Sequence, residues 1–309
     1  MRKSAAYGAS VLLFSYLVTG ILYFSGALNQ STMFVFSMAY MLFPLLTALL
    51  LDLRIYKVNP VASWGLRFRF NRWLFSPLVI ITAFVMITII INLLFPGTRL
   101  EFDHIEIARS MMSPEQFESV RAPYEMIPSA VFYLMQLVSA VIAGYTINAL
   151  FAFGEETGWR GHLLNTFEGR PFWQAWLFSG ALWGIWHAPL VLMGHNYPEH
   201  PVIGVAMMTL WCILLTPVFI YVRVKSRSVY GASFLHGFLN ALAGFPLIVI
   251  IGGNDLTKGV TGVPGMITLL LMNAALFGYD KYISRDMIMT SDICLQDKII
   301  DSIAPSEKE

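Results

Sequence analysis

The chain has 309 residues, 57% of them hydrophobic and only 13% charged, with a mean hydropathy of +0.64. Soluble domains carry about one-quarter charged residues, so this composition excludes a soluble globular protein and leaves a membrane protein. A formal net charge of +1 argues against nucleic acid as a partner, and two cysteines, Cys212 and Cys294, are too few for a disulfide framework or a thiolate metal cluster.

A hydrocarbon core about 30 Å thick needs about 20 apolar residues per crossing helix. Eight runs meet that length, at 7–27, 33–51, 74–95, 128–153, 173–194, 202–222, 229–251 and 263–283. The first follows Arg2 and Lys3 and precedes Ser25-Gly26-Ala27, but its apolar core exceeds that of a secretory signal, so a retained helix is expected. Pro44 and Pro217 are expected to kink their helices. The outer segment around 104–126 reads as a short helix on the membrane surface. With the N-terminus inside, the segments 1–6, 52–73, 154–172, 223–228 and the end from Lys281 are cytoplasmic and hold 16 of the 20 basic residues. The expected fold is therefore all-α, a polytopic membrane helix bundle of about eight transmembrane helices with both termini cytoplasmic. Residues 1–285 form one transmembrane domain, with a motif-bearing core at about 128–250, and 286–309 form a polar, solvated cytoplasmic tail.

Ionisable groups in lipid cost about 2.5 to 3.5 kcal/mol each on insertion scales, so those embedded in apolar runs are functional candidates. They are Glu155, Glu156 and Arg160 after the fourth run, His187 in the fifth, and His236 with Asn240 in the seventh. Glu156 and Arg160 are four apart, the acid nearer the N-terminus, which is the favourable order for a helical ion pair. Glu155, about 100° around the helix, is left to face the bundle interior. Glu155 and His187 are each 16 positions from Pro171, so an antiparallel hairpin turning there brings them to one level. His236 and Asn240 project from one helix face, and His236 enters about 12 Å from the cytoplasmic side. Such a group can activate water by general base catalysis while the histidine and asparagine donors stabilise an oxyanion. Alternatively, Glu155, His187 and His236 could hold zinc with an open position for water. Asparagine, a poor zinc ligand and a good donor, favours the first. Either chemistry hydrolyses a carbonyl compound.

The sequence resembles the CPBP intramembrane proteases, the family of type II CAAX prenyl endopeptidases and bacteriocin-immunity-like (Abi-like) membrane proteins. Three motifs carry the resemblance in order: Glu155-Glu156-Thr157-Gly158-Trp159-Arg160, then Trp183 four before His187, then His236 four before Asn240. The resemblance implies that Glu155 is the water-activating base with His187 assisting, and that His236 and Asn240 form the oxyanion site. It further implies that Glu156 and Arg160 orient the first motif. The family's CAAX-processing members cleave a C-terminal tripeptide after a prenylated cysteine, from the cytoplasmic side. The surroundings "GWRG" and "WHAP" look prokaryotic, which widens the expected partner, besides membrane lipids, to a lipidated, secreted or membrane-bound peptide in a prokaryotic cell membrane.

The remaining polar residues have plainer readings. His162 is expected to be a half-exposed interfacial histidine near the cytoplasmic entrance, and His195, Glu199 and His200 an ordinary polar outer loop. Rival functions are a non-catalytic membrane protein that binds a peptide or lipid, or serves as an immunity or chaperone factor, and a proton-coupled transporter. A transporter would show repeated halves, which this sequence lacks.

Overall fold

A computed structural model describes residues 2–295. Helix α1 (Arg2–Phe24) is followed by α2 (Gln30–Tyr40), α3 (Phe43–Leu50) and the short α4 (Pro60–Ser63). The apolar α5 (Ser76–Asn92) leads to the outer segment, β1 (Arg99–Leu100), α6 (His104–Met111) and α7 (Pro114–Glu125). The motif-bearing half holds α8 (Ser129–Tyr145), α9 (Ile147–Glu156), α10 (Phe172–Trp186), α11 (Ala188–Leu192), α12 (Pro201–Ser226) and α13 (Val229–Leu242). It is closed by β2 (Ile250–Ile251), antiparallel to β1, and by α14 (Val263–Gly278). Among the described residues this ribbon is the only sheet, and the chain is an all-α bundle.

Seven helical stretches are long and apolar enough to cross a membrane, and eight if the pair α7 and α8, bent by 96°, supplies one more. The expected span at 128–153 is broken. Its first part, α8, has 17 residues, and Thr146, with φ −120° and ψ −98°, separates it from α9. The expected span at 33–51 is also broken, at Met41 and Leu42, and reaches Tyr56 through a π-helical turn over Leu51–Tyr56. Pro44 explains that break, because it has no N–H to donate to the carbonyl four residues back. Pro217 does not interrupt α12: the carbonyl of Ile213, which its missing N–H leaves open, accepts instead from Trp176 Nε1–H at 2.6 Å.

In lipid the hydrophobic effect does not drive helices together, so close backbone approach does. Gly180 and Gly184 are four apart on α10. A Cβ on Gly180 would come within 2.8 Å of Ile213 Cα, and one on Gly184 would overlap Thr209 Cα, both on α12. Gly144 on α8 meets Phe238 of α13, and Gly237 of α13 meets the backbone of Gly144 and Ala149. These two seams pin α10 to α12 and α13 to α8 and α9, so every motif sits on a mutually locked helix.

The tail departs from the expected solvated end. The Ile293 N–H donates to Arg170 O at 2.7 Å, Phe172 N–H donates to Ser291 O at 3.0 Å, and Gly169 N–H donates to Ile293 O at 2.9 Å. Ile293 and Leu295 are buried, so these residues strap the turn before α10. The rest of the expected tail, 296–309, lies outside the described residues.

Candidate active site

Helix α9 ends in Glu155 and Glu156 and passes into a π-helical turn over Thr157–Leu163, the irregularity in which helices often carry functional groups. Arg160 Nη1 donates to Glu156 Oε1 at 3.1 Å, as the spacing predicts, with both side chains almost wholly buried. The guanidinium lies between the Trp183 ring, 4.4 Å from its centroid, and the Phe219 ring at 4.5 Å. Arg160 Nε and Nη2 have no hydrogen-bond partner, so the two aromatic faces are what balances this part of the buried charge. Gly158 lets the turn press against the bundle, since a Cβ there would overlap Tyr7 Oη and Pro44.

The division of labour between the two glutamates is less simple than the spacing implies. Glu156 Oε1 also meets His236 Nδ1 at 2.8 Å, and Glu155 Oε2 lies 3.6 Å from that nitrogen. Glu156 therefore joins Arg160 to His236, and Glu155 Oε2 has no hydrogen-bond partner. The His236 ring packs edge-on against Trp183 and Phe219, the two rings that hold Arg160.

Glu155, His187, His236 and Asn240 line one cavity of about 540 Å³, as the hairpin and the shared helix face predict. His187 Nδ1 lies 2.8 Å from the Trp183 carbonyl, which can only accept. That nitrogen therefore carries the proton, and Nε2 keeps the lone pair. Trp183, expected as a supporting aromatic, thus holds Arg160 with its ring and His187 with its carbonyl. The cavity wall continues through Met33, Ser37 and Met41 of α2 and its connection to α3, and through His195, Asn196 and Thr261. The last three belong to the loops after α11 and before α14, at the end of the bundle opposite the connections that carry Arg170 and Arg227. Below the glutamates, toward the basic end, the Arg160 stack and the Arg223 Nε–H bond to Arg160 O at 3.2 Å fill the interior.

The metal set expected from sequence is not the one that converges. Ligand atoms of Glu155, Glu156 and His236 lie within 4.8 Å of one another, and His187 is outside this group. Glu156 Oε1 is already engaged by a guanidinium and an imidazole. Glu156 Oε2, like Glu155 Oε2, is buried without a hydrogen-bond partner, so a metal here would be held by Glu155, Glu156 and His236 rather than by the set read from the sequence.

Other residues fall differently from expectation. His162 is buried, with Nδ1 3.0 Å from Asp52 Oδ2, rather than half exposed. His200 is tied to Asp255 at 2.6 Å, which makes it part of an ordinary polar loop, but His195 lines the cavity, and burial lowers its imidazole pKa. Phe219 and Asp52 were missed. Phe219 has no polar signature inside an apolar run, whereas Asp52, an acid at the end of one, was open to the same reasoning as Glu155.

The fold and this cluster define a class: multi-pass membrane proteins that bury an acid pair, an arginine and histidines beside a cavity between their helices. Residues 124–242 match the family model described as type II CAAX prenyl endopeptidase Rce1-like. The matched segment runs from the end of α7 to the end of α13 and contains every motif residue. The matching family is the one that the three motifs resemble. No curated protein matches the chain.

Proposed function

We propose that the protein is an intramembrane endopeptidase that hydrolyses a peptide bond of a membrane-associated or lipidated substrate. The observation that carries this reading is the unpartnered carboxylate oxygen of Glu155 beside His236, in a cavity shared with His187 and Asn240. Glu155 takes the proton of a water as that water attacks the carbonyl carbon, and His187, held by Trp183, orients the water through Nε2. The carbonyl oxygen becomes an oxyanion that His236 and Asn240 receive as donors. Glu156 fixes His236 and is itself fixed by Arg160. The proton on Glu155 then passes to the leaving amine, which completes hydrolysis. No metal takes part in this reading.

The proposed side of access follows the cavity and replaces the expected cytoplasmic approach. The charge bias puts the basic end inside, and the cavity runs toward the opposite end, so substrate enters from the bilayer and the outer half. A lipidated or exported peptide suits that direction better than a cytosolic prenylated tail.

The test is cleavage of a library of lipidated, prenylated and unmodified peptides by purified protein, with and without chelator. Cleavage that persists in chelator is expected. Loss with chelator and recovery with zinc contradicts the metal-free mechanism. Binding without cleavage across the library replaces the protease reading with that of a membrane binding protein. Thiol labelling of Asn196→Cys and Asn165→Cys in intact cells checks the side: only the first is expected to react with an impermeant reagent.

A further inference from the structure

A second buried cluster lies at the basic end. Asp52, in the π-helical turn after α3, accepts Trp64 Nε1–H at 2.6 Å and meets His162 Nδ1 at 3.0 Å, both on Oδ2. With Nδ1 committed to a carboxylate, His162 has only Nε2 left, and that atom has no hydrogen-bond partner although the residue is 3% exposed. His162 and Asp52 line a cavity of about 390 Å³ together with Arg2, Lys3, Val58, Asn165 and Thr166.

We propose that this cavity binds the phosphate of an anionic membrane lipid headgroup. Its chemistry selects an anion. Arg2 and Lys3 carry two positive charges to the rim, with Lys3 Nζ steadied 4.9 Å over the Tyr56 ring. The Asn165 amide adds a neutral donor. The one acid present, Asp52, has Oδ2 occupied by two donors. His162 completes the site: Asp52 holds its Nδ1, which leaves Nε2 to meet a phosphate oxygen. Burying an unpartnered imidazole nitrogen costs free energy unless a ligand meets it.

A lipid, rather than free phosphate, is favoured by the apolar surface of the elements that carry the cavity's residues. Leu46, Leu50, Leu53 and Ile55 on α3 and the turn after it, and Leu13 and Leu17 on α1, are exposed apolar side chains. They lead from the neighbourhood of Asp52, Arg2 and Lys3 along the membrane-facing surface, where acyl chains would lie. The site is independent of the hydrolytic cavity and of the reading given to it.

The test uses the full chain in a neutral detergent and follows its thermal midpoint against dioctanoyl phosphatidylglycerol, dioctanoyl phosphatidylcholine and inorganic phosphate. A saturable rise with phosphatidylglycerol is expected, with phosphatidylcholine giving a smaller one. The double variant Arg2→Gln/Lys3→Gln, whose changes lie on exposed side chains, is expected to weaken the response roughly tenfold or more. His162→Asn keeps a donor toward Asp52, removes Nε2, and is expected to weaken it too. The absence of any rise in the unaltered protein, or an equal rise in the double variant, overturns the site. An equal rise with inorganic phosphate overturns the lipid assignment.

Discussion

The molecule buries two histidine–carboxylate pairs of nearly equal geometry, His236 with Glu156 at 2.8 Å and His162 with Asp52 at 3.0 Å. What surrounds them differs. Beside the first stand a second carboxylate with an unpartnered oxygen, a guanidinium held by two aromatic rings, and a cavity that also reaches His187 and Asn240. Beside the second, Trp64 donates to the acid, and the Tyr7 and Trp64 rings pack on the imidazole. The same acid–histidine pairing thus occurs in two different settings. What distinguishes the first pair is the second carboxylate, Glu155, with its buried unpartnered oxygen, and a cavity shared with His187 and Asn240.

Breaking each pair should separate them by size of effect. Glu156→Gln leaves the Arg160 charge buried without its acid and is expected to cost about 3 to 5 kcal/mol, read from unfolding in detergent. Gly158→Ala pushes a methyl against Tyr7 and Pro44 and is expected to cost about 1 to 3 kcal/mol, without altering any ionisable group of the site. Phe219→Leu removes one of the two faces over Arg160 and is expected to cost about 1 to 2 kcal/mol, beyond which the Trp183 face still holds the charge. Asp52→Asn keeps an acceptor for Trp64 and His162 and is expected to cost only about 1 kcal/mol. Equal losses for Glu156→Gln and Asp52→Asn would erase the contrast between the clusters.

Much of the motif region was legible because its signals are local. The i,i+4 spacing of Glu156 and Arg160 predicts their bond, and the equal distances of Glu155 and His187 from Pro171 predict that they share a cavity. The helical class and most spans follow from apolar run length alone. The misses are of another kind. Thr146 interrupts an apolar run with a single unusual backbone conformation, which composition does not announce. The link from His236 to Glu156 joins residues 80 apart, and helix rotation within the bundle, not spacing, decides which glutamate it meets. His162 meets Asp52 across 110 residues, while Trp64 reaches the same acid from 12 residues away. The strap rests on backbone bonds from Ser291 and Ile293 to the turn before α10 and on the Leu295 N–H bond to the Glu168 carboxylate, pairings that the tail's composition does not announce.

The central claim is that the cluster with the spare oxygen, and not its twin, carries the chemistry. The most direct test is the initial rate of cleavage of one susceptible peptide by Glu155→Gln and Asp52→Asn, each confirmed folded by its thermal midpoint. Glu155→Gln is expected to lose about 100- to 10,000-fold in rate, the range for removal of a general base, while Asp52→Asn stays near the unaltered rate. Cleavage by Glu155→Gln at the unaltered rate would contradict the account.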